Sequence, residues 1–174
     1  MKKIFSFIVI LVYAIIGNSQ TISKECLCNS AAFIDIEYKD SILLYDKPGG
    51  KVIQYLKHNF ENEAYIHFKI LKKKGKMLYV KASTIDSVYP NGWININSHI
   101  GVYSRAYNGG LKLYSLPNEK SKVQSTIKEY DNDMYTVIDC CGDWLKVKRI
   151  LHGKTYIGWM PPEMQCADLY TTCS

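Results

Sequence analysis

Apolar and polar residues alternate over short stretches of this chain. Phe33-Ile34-Asp35-Ile36-Glu37-Tyr38 alternates, and so does Leu145-Lys146-Val147-Lys148, which sends Leu and Val to a core and both lysines to water. Almost no segment carries the three-to-four-residue apolar spacing of a helix, so the elements predicted are strands. Turn-forming residues punctuate them at Lys47-Pro48-Gly49-Gly50, Asn91-Gly92, Asn108-Gly109-Gly110, Cys141-Gly142-Asp143 and His152-Gly153-Lys154. Ile100-Gly101-Val102-Tyr103 reads as a further strand, paired across Asn108-Gly109-Gly110 with Leu111-Lys112-Leu113-Tyr114. Met160-Pro161-Pro162-Glu163 ends the last regular strand, because proline has no N–H to give to a ladder. The fold class predicted is all-β.

One long apolar run departs from this pattern. Met1-Lys2-Lys3 precedes Ile4 to Ile16, apolar except for Ser6, and Gly17-Asn18-Ser19-Gln20 follows with small residues. That is the layout of a secretory signal peptide over 1–20, cut after Ser19 or Gln20. A bilayer-spanning helix needs about 20 apolar residues, which this run does not reach, and Ser23-Lys24-Glu25 before Cys26 is no lipid-attachment signal. The mature chain is expected in the periplasm or outside the cell. Losing Lys2 and Lys3 lowers the formal charge from +6 to +4, and Lys72-Lys73-Lys74-Gly75-Lys76 carries much of the remainder as a solvated loop tip. Nucleic acid is not an expected partner of an exported chain.

Export changes the meaning of the cysteines. Cys26, Cys28, Cys140, Cys141, Cys166 and Cys173 all lie beyond the cleavage point, and an even count there reads as disulfides with fifteen pairings open. Four of the six fall in the last 35 residues, which predicts bridges stapling the C-terminal tail to the body. The Cys-x-x-Cys spacing of zinc and redox sites is absent, so neither a metal nor another cofactor is expected.

The chain repeats itself. Leu44-Tyr45-x-x-Pro48 recurs as Leu113-Tyr114-x-x-Pro117, and Phe60-Glu61-Asn62-Glu63 as Tyr130-Asp131-Asn132-Asp133. Leu78-Tyr79-Val80-Lys81 returns as Leu145-Lys146-Val147-Lys148, and Gly92-Trp93-Ile94 as Gly158-Trp159-Met160, with offsets drifting only between 66 and 70. Four landmarks in one order define two copies of a unit, over 21–98 with an N-terminal extension and 99–174 with a tail. The 14 Tyr, 3 Trp and 5 Phe supply bulk for small cores. A unit of roughly 60 residues buries a limited fraction of its surface, a reason for disulfides and close packing of the pair.

The second copy resembles the bacterial SH3 domain. Leu113-Tyr114-Ser115-Leu116-Pro117, then Lys122-Val123, Asp143-Trp144-Leu145-Lys146-Val147 and Gly158-Trp159-Met160 follow that family's order of opening strand, Pro loop, Trp-centred hairpin and closing Gly-Trp strand. The first copy departs: Met77-Leu78-Tyr79-Val80 replaces the Trp hairpin, and Lys81 to Asn91 reads as an insertion before Gly92-Trp93. Asn62 and Asn132 stand where members often carry Gly, and Asn tolerates a left-handed turn. The resemblance implies two SH3-like β-barrels in tandem, acting as a recognition module for cell-wall peptidoglycan or for a protein or peptide ligand. No attached hydrolase is expected, since the two copies use up the mature sequence.

A direct search for chemistry agrees with a non-enzymatic reading. His58, His67, His99 and His152 are scattered, and neither a Gly-x-Ser-x-Gly elbow nor a His-Glu-x-x-His site occurs. The acids Glu61, Glu63, Asp131 and Asp133 repeat beside Asn and read as a solvated turn. Aromatics remain: Tyr45 and Tyr114 follow core leucines, so alternation turns them outward beside a Pro loop as candidate ligand-binding rings. Trp144, at the turn after Gly142-Asp143, joins them as a third candidate, whereas Trp93 and Trp159 are expected in the core. An exported inhibitor or immunity-type protein, blocking an enzyme in trans, is the alternative function.

Overall fold

The computed structural model describes residues 26–130 and 132–170. The expected signal segment, Asp131 and Cys173 lie outside the described residues. The strands in chain order are β1 (Ser30–Ile34), β2 (Ile42–Tyr45), β3 (Val52–Leu56), β4 (His67–Lys74), β5 (Met77–Ser83) and β6 (Val88–Asn95). They continue with β7 (Ile100–Ser104), β8 (Leu111–Tyr114), β9 (Val123–Ile127), β10 (Tyr135–Cys141), β11 (Trp144–Leu151) and β12 (Lys154–Met160). After Pro161 a single 3₁₀ turn, Pro162–Met164, leads to the two-residue β13 (Gln165–Cys166). The described residues are thus all-β, and none of them forms a helix long and apolar enough to cross a membrane.

The strands join in one hydrogen-bonded sheet ordered β3-β2-β6-β5-β4-β1-β7-β10-β11-β12-β8-β9, with β13 on the side of β7. That order reads the same from either end once each strand is exchanged with the one six places along the chain. The sequence repeat is therefore carried by the topology, and irregularities repeat with it. Bulges fall between Leu44 and Tyr45 and between Leu113 and Tyr114, and again between Ile70 and Lys72 and between Val137 and Asp139. The alternating leucines and valines behave as predicted: Leu44, Leu78, Val80 and their counterparts Leu113, Leu145, Val147 are fully buried. Each such side chain contributes roughly 1.5–3 kcal/mol by leaving water.

The halves meet at β1 and β7, where Phe33 faces Gly101 and Ile34 faces Ile100. The sheet consequently runs unbroken through both units, and their buried side chains form one contiguous core. This also corrects the expected pairing of Ile100–Tyr103 with Leu111–Tyr114. Strand β7 instead pairs β1, β10 and β13. Gly101 permits it, since a Cβ there would stand 2.4 Å from both Met134 Cγ and the Tyr135 carbonyl oxygen.

Two of the bridges lie away from the tail. Cys26 is bonded to Cys141 and Cys28 to Cys140, so two bridges fasten the N-terminal extension to the end of β10. Backbone bonds prepare that meeting: Cys28 N–H donates to Leu71 O in the first half, and Asn29 N–H to Gly142 O in the second. Cys166 is disulfide-bonded as well. Strand pairing and side chains also hold the tail. Gln165 Nε2 donates to Asp143 O at 2.9 Å and to Met160 O at 3.0 Å, and Tyr170 Oη accepts the Tyr65 N–H at 3.1 Å.

Three local readings also change. The alternation from Phe33 to Tyr38 is strand only to Ile34, because Asp35 Oδ1 accepts the Glu37 N–H and turns the chain. Lys81 to Asn91 is an extension of the β5–β6 hairpin, with Lys81 opposite Asn91 and Ser83 opposite Val88. In the Phe60–Glu63 turn the left-handed residue is Glu63, at φ 51°, and not Asn62.

Candidate binding surface

Alternation along β5 and β6 fixes one face of the first half. Leu78 and Val80 go to the core, so Tyr79 between them goes to the opposite face; Gly92 lies against Leu44 and Ile94 is buried in the core, so Trp93 does likewise. The bulge after Ile70 shifts the phase of β4 and brings Lys72 opposite Tyr79. A cross-strand row results, in which Lys72 faces Tyr79, Tyr79 faces Trp93, and Trp93 faces Tyr45. Tyr79 and Trp93 ring centres are 5.2 Å apart, and Lys72 Nζ lies 5.2 Å from the first and 5.4 Å from the second. These are cation–π distances, each contact worth about 0.5–1 kcal/mol where exposed.

The second half builds the same row from different side chains. Asp139 faces Lys146, Lys146 faces Trp159, and Trp159 faces Tyr114. Lys146 Nζ lies 6.0 Å from the Trp159 ring, while Trp144 stands edge-on to Tyr114 at 5.6 Å and 86°. Asp139 also accepts Lys73 Nζ at 2.9 Å, a half-exposed ion pair tying the two halves. Such a pair adds about 0.2–1 kcal/mol.

Tyr114 and Trp144, singled out from the sequence, are therefore brought together, and Tyr45 occupies the corresponding place in the other row. All three are half-buried. Trp93 and Trp159 are buried, as expected, at 7 % and 8 % exposure. Each is a backing plate under its row, leaving the tyrosines and Trp144 as the rings a ligand would meet. The sequence reading missed Tyr79 and Lys146, although their alternation with buried Leu and Val carried the signal.

Gly92 and Gly158 make the rows possible. A Cβ at Gly92 would lie 2.7 Å from Leu44 Cγ and 2.8 Å from Tyr45 O; at Gly158 it would lie 2.8 Å from Leu113 Cβ and 3.0 Å from Tyr114 O. Without side chains, β6 and β12 pass closely enough for each Trp to pair with its Tyr.

Two histidines have chemistry the sequence did not reveal. Ser83 Oγ and His67 Nε2 are 3.0 Å apart, a nucleophile–base distance between residues directly opposite in the β4–β5 ladder. His58 is buried, with Nδ1 accepting the Ile66 N–H at 2.9 Å and Nε2 bonded to Asp35 O at 3.1 Å. Burial lowers its pKa, more than the backbone carbonyl of Asp35 raises it. Among the described residues no group of three or more His, Cys, Asp or Glu is placed to hold a metal ion.

These features define an all-β, disulfide-linked protein with a duplicated aromatic row on one sheet. No family model and no curated protein matches the chain. Among solved structures it is similar to NlpC1 from Trichomonas vaginalis, at a TM-score of 0.32 and 15 % identity, covering 82 % of this chain and 46 % of that one. It is also similar to an autolysin candidate from Listeria monocytogenes, at a TM-score of 0.25 and 18 % identity, covering 80 % and 62 %. The chain spans less than two thirds of either structure.

Proposed function

We propose that this chain is an exported, non-catalytic binding module for cell-wall peptidoglycan, made of two SH3-like barrel units fused through β1 and β7. The observation that carries the reading is the duplicated row in which a buried Trp backs an accessible Tyr and a Lys. Flat rings suit the apolar faces of sugars and peptide, and the lysines suit their carboxylates. Paired cysteines support an oxidising, extracytoplasmic compartment. The Ser83–His67 contact is a ladder pair, the two residues facing each other across β4 and β5.

Pelleting with purified sacculi tests the proposal. Wild-type protein is expected to co-sediment, and Tyr45→Ala with Tyr114→Ala and Trp144→Ala to remain soluble with an unchanged unfolding midpoint. Failure of the wild type to co-sediment, with stoichiometric capture of a soluble enzyme instead, would replace this reading by the trans-acting inhibitor. Release of peptidoglycan fragments by wild type but not by Ser83→Ala would establish an enzyme.

A further inference from the structure

A second site lies away from the aromatic rows. Where the halves join, a cleft of about 650 Å³ opens between the turn after β1 and the strands β10 and β11, with Tyr103 of β7 in its lining. That volume is in the range of small-ligand sites, about 300–1,000 Å³. Its wall is formed by both halves, so neither unit alone would present it.

Charge divides the cleft. Asp35 and Glu37 come from the turn of the first half, and neither forms an ion pair among the described residues. Across from them, Asp133 is bonded to Arg149, while the Lys148 side chain is exposed. The lining also carries apolar side chains, with Ile36 and Ile150 39 % and 55 % exposed, beside the polar Asn97, Ser98, Asn132 and Thr136. The Tyr103 phenol senses the carboxylates on both sides of the cleft: burial raises its pKa first, and Asp35, Asp133 and Glu37 raise it further. A neutral phenol in a negative field is a good acceptor for an N–H donor.

We propose that this inter-unit cleft binds a short zwitterionic peptide, its primary ammonium held by Asp35, Glu37 and the Tyr103 phenol, its carboxylate facing Lys148, and its small apolar side chains on Ile36 and Ile150. The site is independent of the aromatic rows and does not rest on the function proposed for them. Simple anions are poorly suited, because two carboxylates stand at one end. Amines without a carboxylate forgo Lys148.

The probe is the dipeptide Ala-Ala, titrated into isotope-labelled full-length protein and followed by amide chemical shifts. Saturable shifts are expected at Gly101 and Tyr103, with affinity falling about tenfold when the amine of the probe is acetylated. Asp35→Asn with Glu37→Gln is expected to weaken binding about tenfold too. Asn keeps an acceptor for the Glu37 N–H, so an otherwise unchanged spectrum confirms the fold. Tyr45→Ala with Tyr114→Ala and Trp144→Ala, the variant expected not to sediment with sacculi, should leave this titration unaltered. Equal binding of the acetylated probe, unaltered binding by the Asp35/Glu37 variant, or shifts confined to the aromatic rows would overturn the proposal.

Discussion

Deleting the two N-terminal disulfides singly and then together should produce losses of stability that do not add. Cys26–Cys141 and Cys28–Cys140 span 115 and 112 residues and are nested. With either one intact, the other closes only the few residues between them. In the chain-entropy model a loop of about 110 residues is worth about 4.8 kcal/mol at 25 °C, and a ring of about five residues about 2 kcal/mol. Replacing either pair by alanine should therefore cost about 2 kcal/mol, and replacing both about 7 kcal/mol, a coupling of about 3 kcal/mol. The inner pair should be the costlier single change, because Cys28 and Cys140 are buried in the core. Urea unfolding followed by tryptophan fluorescence measures all four proteins. If each single deletion cost about 4–5 kcal/mol and the quadruple variant were their simple sum, the nested arrangement would be refuted.

Gly158→Ala should destabilise by about 1–3 kcal/mol, because the added methyl meets Leu113 Cβ and the Tyr114 carbonyl; an unchanged thermal midpoint would show that β12 and β8 do not approach so closely. His58 sets a pH dependence: its folded pKa lies below the ordinary 6.5, so its contribution is present above about pH 6.5 and is lost as pH falls through the folded value. Thermal midpoints between about pH 8 and pH 5 should drop further in wild type than in His58→Gln, and parallel curves would contradict the neutral, doubly bonded ring. Tyr170→Phe removes a hydroxyl that donates to Glu63 O and accepts from the Tyr65 N–H. Global stability should fall by less than about 1 kcal/mol, while amide exchange at Tyr65 accelerates.

The repeat was legible because each half keeps its own turn residues and its own buried Leu and Val, which are local features. The order of strands was not, since β1 and β7 are joined only through contacts between distant segments. Gly101 looked like an ordinary strand glycine, and nothing nearby in sequence announces that Tyr135 presses against it. Bulges hid part of the aromatic rows: without the phase shift after Ile70, Lys72 would not stand opposite Tyr79. Trp93 and Trp159 are buried as expected, but each is flanked by residues that are themselves buried, so no alternation of polar and apolar neighbours marks the face it takes. Tyr114 and Trp144 were found individually, but their contact at 5.6 Å depends on β12 and β8 lying side by side. The pairing of Cys26 and Cys28 likewise depended on where the N-terminal extension crosses the sheet.

Because the two aromatic rows are built into one sheet, their separation is set by backbone hydrogen bonds instead of by a flexible tether. For a polymer whose units recur along its length, occupying the first row presents a neighbouring unit to the second at high effective concentration. Avidity then exceeds the single-contact affinity by about 10²–10⁴ when the spacings match, and vanishes when they do not. Under the proposed function, a rigid pair of weak contacts would discriminate long strands from their soluble fragments.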